Sequence, residues 1–260
     1  MTQEKNKTRP LFKNPHLEGD PFFWQAGPVG VLLIHGLKAT TAEIRPVAKA
    51  LLAKGYTVSG PLLPGHGTTP EDVNRYRWQD WVKNVEDAYR QLTTHCNQVF
   101  VGGESTGGLL ALYLGIHHPE VDGIITYAPA LKLTLSQVDV IRLHLIAPFV
   151  PYLHQEENKD EDREMAWQGY TVNPLRGVIQ LLRLQRQVKP RLASIRRPVL
   201  VIQGKLDPSI HPTVPETIYT GVRSTIKEVH WLEHSTHCVA LDREQDQVIS
   251  LTLEFIEKAL

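Results

Sequence analysis

The sequence predicts an α/β fold: a mostly parallel central sheet flanked by helices, with a small helical insertion. Three observations carry that expectation. Short apolar runs of strand length alternate with helical patterns at βαβ spacing. A Gly-rich turn, Gly102-Gly103-Glu104-Ser105-Thr106-Gly107-Gly108, joins one of those runs to a helix. From about Leu131 to Ile195 the strand rhythm stops and amphipathic helical patterns replace it. A chain of 260 residues suits one α/β domain with an insertion, or two small domains, and 42% apolar residues supply a sizeable core.

Residues 1–20 read as a polar arm, and Pro21-Phe22-Phe23-Trp24-Gln25-Ala26-Gly27 as a short aromatic strand. Val29–Ile34 is a continuous apolar run, the pattern of a strand buried on both faces, and it ends at His35-Gly36-Leu37. A helix is expected from Glu43 to Lys54, with Pro46 tolerated in its first turn and Gly55 as a stop. Tyr56–Ser59 is a second parallel strand, followed by a loop containing Gly65-His66-Gly67. Trp78, Trp81, Val82, Val85 and Tyr89 share one helical face. A strand over 98–102, a helix to His118 and a strand over Val121–Tyr127 complete the first half.

Within the insertion, Val138, Ile141, Leu145 and Ile146 predict a short helix, stopped by Pro148 and Pro151. Leu175, Val178, Ile179, Leu182 and Val188 predict a longer one, and Gln155–Glu164 is strongly charged. No strand is expected there. The sheet resumes at Val199–Gly204, with a helix near Val214–Gly221, a strand near Thr225–Trp231 and a closing helix over Arg243–Leu260. The expected organisation is an arm over 1–20, a core over 21–130 and 196–260, and a helical lid over 131–195.

Charge excludes several classes of partner. Lys+Arg and Asp+Glu balance at 28 each, so there is no electrostatic footprint for nucleic acid or an anionic membrane. No apolar run approaches the roughly 20 residues of a membrane span. Met1–Arg9 lacks the apolar core of a secretory signal, and Cys96 and Cys238 stand far apart, which together favour reduced thiols in the cytoplasm. No metal-ligand spacing is found, and adjacent His117-His118 point apart on a helix. No metal and no cofactor are expected, and oligomeric state is left open.

The Gly-rich turn has the spacing Gly103-x-Ser105-x-Gly107 of a nucleophile elbow. It is neither a phosphate loop nor a dinucleotide fingerprint, because Gly108-Leu109 stand where Lys-Ser/Thr would follow and the i, i+2, i+5 glycines are missing. Two further residues follow directly on strands: Asp207 in Gly204-Lys205-Leu206-Asp207-Pro208, and His237 in His234-Ser235-Thr236-His237-Cys238. In an open parallel sheet, ligands sit beyond the carboxyl ends of the strands. The chain order Ser, Asp, His is that of α/β-hydrolases. A serine hydroxyl is a weak nucleophile, so an imidazole must take its proton and later return it to the leaving group. A carboxylate on the other ring nitrogen fixes the tautomer. Backbone N–H groups of Leu37 and Thr106 are placed to receive the oxyanion. Glu233 and Asp242 are weaker rivals for the acid, and His234 for the base. His35 and His66 are expected to brace their loops.

With those residues in view, the sequence resembles the monoacylglycerol lipase and bacterial thermostable carboxylesterase group of α/β-hydrolases. The resemblance runs from Pro21-Phe22-Phe23 through Leu32-Leu33-Ile34-His35-Gly36, Gly65-His66-Gly67 with Pro70-Glu71, and the elbow, to the Asp207 loop and His237-Cys238-Val239-Ala240-Leu241-Asp242. It implies a serine esterase acting on small-molecule esters, with nucleophile Ser105, acid Asp207, base His237, oxyanion donors Leu37 and Thr106, and a helical lid over an apolar acyl pocket. Leu143, Leu145, Ile146, Phe149 and Val150 form an apolar cluster in that lid and are expected to line the acyl channel. The expected activity is hydrolysis of short- to medium-chain carboxylic esters through an acyl-enzyme. Monoacylglycerol lipase, acyltransferase, lactonase and thioesterase chemistries on the same residues are alternatives, as is a non-catalytic hydrolase-fold binding protein. Glu104 departs from the group, which usually has an uncharged residue there. It is expected either to be ion-paired beneath the site or to alter substrate choice.

Overall fold

The computed structural model describes residues 11–154 and 166–260. In chain order its strands are β1 (Phe12–Lys13), β2 (Phe22–Trp24), β3 (Val29–Ile34), β4 (Thr57–Gly60), β5 (Gln98–Glu104), β6 (Gly123–Tyr127), β7 (Tyr152–His154), β8 (Gly169–Tyr170), β9 (Val172–Pro174), β10 (Val199–Gly204) and β11 (Lys227–Leu232). Its α-helices are α1 (Arg45–Ala53), α2 (Pro70–Val73), α3 (Trp78–Thr93), α4 (Thr106–His117), α5 (Gln137–Ile146), α6 (Leu175–Val188), α7 (Val214–Gly221) and α8 (Gln245–Ala259).

The continuous apolar runs become the interior strands of a seven-stranded sheet, in the order β11-β10-β6-β5-β3-β4-β2. Only β2 runs antiparallel, on the edge beside β4. Alternate side chains of each run feed two cores, because successive strand residues face opposite sides. Leu32, Ile34, Val99, Val101, Val199 and Val201 pack with α3, α4 and α6 on one face. Val31, Leu33, Phe100, Leu200 and Ile202 pack with α1 and α8 on the other. Each fully buried aliphatic side chain contributes about 1.5–3 kcal/mol. Helix α4 is apolar on nearly every side, as Leu109-Leu110-Ala111-Leu112 foretells, and lies buried directly behind β5.

Three expectations are corrected. The insertion does contain strands: β7 pairs with β9, and β8 pairs with β1. Two or three residues are too few to show a period of two, and their partners lie far away in sequence. The arm is therefore not merely polar at its end, since Phe12 and Lys13 pair with Tyr170 and Gly169. The helix expected from Glu43 opens instead with a 3-10 turn, Thr41–Glu43, capped by the Thr40 side chain, and α1 follows with Pro46 in its first turn. The charged stretch Gln155–Glu164 lies outside the described residues.

Candidate active site

The elbow is built by close approach of backbones. β3 and β5 are parallel neighbours, with Ile34 opposite Gly103. A Cβ on Gly107 would lie 2.0 Å from the Ile34 carbonyl oxygen, and one on Gly103 would lie 2.3 Å from it. Only glycine lets α4 start this close to β3. Between them Ser105 is held at φ 53°, ψ −110°, a strained backbone for a residue with a side chain. Its N–H donates to the Tyr127 carbonyl (2.8 Å) and its carbonyl accepts from Ala130 N–H (2.9 Å).

Ser105, Asp207 and His237 follow the carboxyl ends of β5, β10 and β11, and the structure brings them together. His237 Nε2 lies 3.0 Å from Ser105 Oγ, and its Nδ1 lies 2.9 Å from Asp207 Oδ2. Asp207 is saturated: Oδ1 accepts the N–H groups of Ser209 (2.8 Å) and Ile210 (3.1 Å), and Oδ2 also accepts Gln203 Nε2 (2.7 Å). The carboxylate side chain is 1% exposed, whereas the imidazole is 23% exposed, so the acid is shielded and the base is reachable. Burial opposes charge on Asp207, but His237 and the two backbone donors outweigh it and hold its pKa below the usual range. Burial likewise disfavours the imidazolium, yet Asp207, Glu104 and Glu43 together carry His237 up to about 9.

The histidine loop is braced from the segment just before α8. Asp242 accepts from the N–H and hydroxyl of Thr236, and Glu244 accepts from His234 N–H (2.9 Å) and Ser235 Oγ (2.6 Å). The rivals are thereby placed elsewhere. Asp242 supports the loop, Glu233 pairs with Lys205 (2.5 Å), and the backbone N–H of His234 is tied to Glu244.

Thr106 is the first residue of α4, so its N–H has no partner within the helix. No acceptor for the Leu37 N–H occurs among the described residues. Leu37 stands just past β3, the strand beside the elbow. His35 is buried, donates from Nδ1 to the Gly36 carbonyl (2.8 Å) and accepts Leu63 N–H at Nε2 (3.0 Å). That arrangement needs a neutral ring, and burial beside His66 lowers its pKa to about 3. Burial also lowers His66, to about 4, and its Nδ1 faces the carbonyls of Leu63 (3.2 Å) and Pro64 (3.3 Å).

Two buried acids lie beside these groups. Among the described residues Glu104 has no ion-pair partner, contrary to one expectation: Oε2 accepts Ala240 N–H (3.1 Å), and Oε1 has no partner there. Burial first, and Glu43 second, push its pKa well above the ordinary carboxylate value. Sequence reasoning missed Glu43. Its Oε2 accepts Gly36 N–H (2.6 Å), and its Oε1 faces Trp167 Nε1 (3.1 Å) and Cys238 Sγ (3.6 Å).

The lid cluster divides. Leu143 and Val150 pack on Ala147, Leu175 and Ile179. Leu145, Ile146 and Phe149 are exposed, Phe149 at 86%. Among the described residues no group of three His, Cys, Asp or Glu side chains is placed to hold a metal ion, and no helix is long and apolar enough to cross a membrane.

A hydroxyl, an imidazole and a buried carboxylate in hydrogen-bonded series, beside unpaired N–H groups, are the parts that acyl transfer requires. The family model described as serine aminopeptidase, S33, matches residues 29–244. The chain belongs to this S33 hydrolase family. Along 245 residues this S33 hydrolase is 36% identical to a thermostable monoacylglycerol lipase of Bacillus sp. (strain H-257), covering 94% of this chain and 97% of that protein. It is 30% identical over 239 residues to a carboxylesterase of Bacillus subtilis (strain 168), covering 92% and 96%. A solved structure from a study of the metagenome-derived lipolytic enzymes LipS and LipT matches with a TM-score of 0.85 at 30% identity, covering 93% of this chain and 99% of that one. The S33 chain thus has the α/β-hydrolase fold that its motif order predicts.

Proposed function

We propose that this hydrolase is a serine carboxylesterase that cleaves short- to medium-chain carboxylic esters through an acyl-enzyme. The observation that carries the reading is the hydrogen-bonded series from Asp207 through His237 to Ser105 Oγ, at 2.9 and 3.0 Å. Ser105 Oγ attacks the ester carbonyl while His237 Nε2 takes its proton. The tetrahedral oxyanion is received by the N–H groups of Leu37 and Thr106, each worth about 3–4 kcal/mol in the transition state. His237 then returns the proton to the leaving alkoxide, and water repeats the sequence on the acyl-enzyme. Asp207 holds the Nδ1–H tautomer throughout.

Monoacylglycerol lipase activity is a second reading. It is favoured by the Bacillus sp. relative of that name and by the exposed apolar side chains of Leu145, Ile146 and Phe149, which suit a lipid-like acyl chain. In both readings residues 131–195 act as a lid on a core of 21–130 and 196–260, and Leu143, Leu145, Ile146, Phe149 and Val150 line the acyl channel. The free thiols Cys96 and Cys238 support a reducing, cytoplasmic setting.

A substrate panel tests these statements. p-Nitrophenyl esters from acetate to palmitate, with monoacylglycerols alongside, are expected to be hydrolysed, with an organophosphonate labelling Ser105 in the intact protein. Phe149→Ala and Leu145→Ser are expected to lower kcat/KM for the longer acyl chains and leave acetate unchanged. An unchanged chain-length profile would remove those residues from the channel.

The base must be neutral to accept the Ser105 proton. The pKa of His237 is raised to about 9, with Asp207, Glu104 and Glu43 the acidic groups around it. The imidazolium therefore persists as pH rises, and kcat/KM is expected to climb through an apparent pKa above the ordinary 6.5. A pH–rate profile with its acid limb at or below 6.5 would contradict this.

A further inference from the structure

Glu43 is 3% exposed, and both of its carboxylate oxygens take N–H donors. One donor, Gly36 N–H at 2.6 Å, belongs to the residue before Leu37. The other, the Trp167 indole at 3.1 Å, comes from the insertion. The thiol of Cys238, next to His237, also faces Oε1 at 3.6 Å. The carboxylate thus stands where the Leu37 loop, the histidine loop and the insertion meet. Gly36 is wedged between it and the nucleophile: a Cβ there would lie 3.1 Å from Glu43 Oε2 and 3.3 Å from Ser105 Cβ.

A trans peptide is planar, so the Gly36 carbonyl and the Leu37 N–H point in opposite directions in one plane. His35 holds the carbonyl of that plane at 2.8 Å. Glu43 holds the N–H of the preceding peptide, and so fixes the other side of the Gly36 Cα. Between them, the two side chains leave Gly36 little freedom to rotate. The insertion side of this support is itself tied down. Gln168 accepts the Thr40 hydroxyl (2.6 Å) and donates to the carbonyls of Asn14 (3.0 Å) and Leu17 (2.7 Å), and Tyr170 N–H donates to Lys38 O (2.9 Å).

We infer that Glu43 is a positioning residue for the oxyanion site: by bonding Gly36 N–H and the Trp167 indole at once, it sets the peptide plane that presents Leu37 N–H. The inference rests on the proposed Ser105 chemistry. It needs an acid at this position, because a carboxylate has acceptors on both sides. An amide of the same shape has one acceptor oxygen, and its NH₂ would face either the Trp167 indole N–H or the Gly36 N–H, donor against donor.

Glu43→Gln is therefore the test, with Trp167→Phe and the double variant. Glu43→Gln is expected to lower kcat by about 10- to 100-fold, the effect of a misplaced group near the reacting atoms, with little change in KM. Affinity for a phenylboronic acid, whose adduct with Ser105 Oγ places a hydroxyl at the oxyanion position, falls in parallel. Trp167→Phe alone lowers kcat by about threefold. In its background Glu43→Gln costs much less than in the wild type, because the amide can then give its oxygen to Gly36 without opposing the indole. Unchanged kcat and boronate affinity in folded Glu43→Gln, even with a lowered melting temperature, would overturn the inference, as would additive single and double variants. If Glu43→Gln does not fold, Trp167→Phe carries the test by the same two readouts, and unchanged values overturn it. Turnover that survives in Ser105→Ala overturns the Ser105 reading and this inference together. Ser105-dependent turnover that ignores Glu43 overturns the inference alone.

Discussion

Ser105→Ala is expected to lower kcat for a p-nitrophenyl ester by about 10⁵-fold or more, with the folded structure retained. The hydroxyl is the group that the geometry offers for attack: it lies 3.0 Å from His237 Nε2, on the turn between β5 and α4. The variant removes no core contact, and the backbone bonds of Ser105 to Tyr127 and Ala130 remain. Stability carries a second signature. Ser105 keeps φ at 53°, so alanine inherits the strain that serine bears. Ser105→Gly is expected to be more stable than Ser105→Ala by about 1–3 kcal/mol, the usual cost of such a backbone for a residue with a Cβ. Steady-state kinetics and denaturant unfolding of the two variants give both answers. Turnover within tenfold of wild type in either variant would remove Ser105 from the chemistry.

The elbow was readable because its constraints are local. Gly103 and Gly107 are demanded by the Ile34 carbonyl, but a strand, a turn and a helix already imply such crowding. Asp207 and His237 were readable for a related reason. β3, β5 and β10 are continuous apolar runs, and a parallel sheet places whatever follows such runs at one edge. Glu43 was not readable. In sequence it is an acid at the start of a helix, where charge near the N-terminus is ordinary. Its burial depends on Trp167, 124 residues away, in a part of the chain with no strong period. Glu104 stands out in the sequence as an acid before the nucleophile, but its surroundings are not legible there. An ion pair is one expectation, yet among the described residues Ala240 N–H is the one donor it meets. Strands β7, β8 and β9 were invisible because two or three residues cannot show alternation. Their pairing depends on residues such as Phe12 that read as part of a polar arm.

The second large effect is expected at Asp207. Asp207→Asn should lower kcat by about 10⁴-fold, with a modest change in melting temperature. The reason lies in how the four donors around the carboxylate are divided. Ser209 and Ile210 N–H groups both bond Oδ1, so an asparagine keeps its oxygen there and turns its NH₂ toward His237 and Gln203. Gln203 can answer by a flip of its amide, because its Oε1 is buried without a partner among the described residues and would then accept from the new NH₂. The fold therefore tolerates the change. The imidazole has only one answer, which is to accept at Nδ1 and carry its proton on Nε2. That tautomer presents a donor to Ser105 Oγ, and the ring no longer accepts the hydroxyl proton. Removal of the carboxylate charge also withdraws the main influence that raises His237, so the acid limb of the pH profile should move down even as the rate collapses. Circular dichroism, kcat and the pH profile of Asp207→Asn separate these effects. Activity within tenfold of wild type would show that another carboxylate orients the base. Glu104 and Glu43 would be the groups to examine, since both also act on His237.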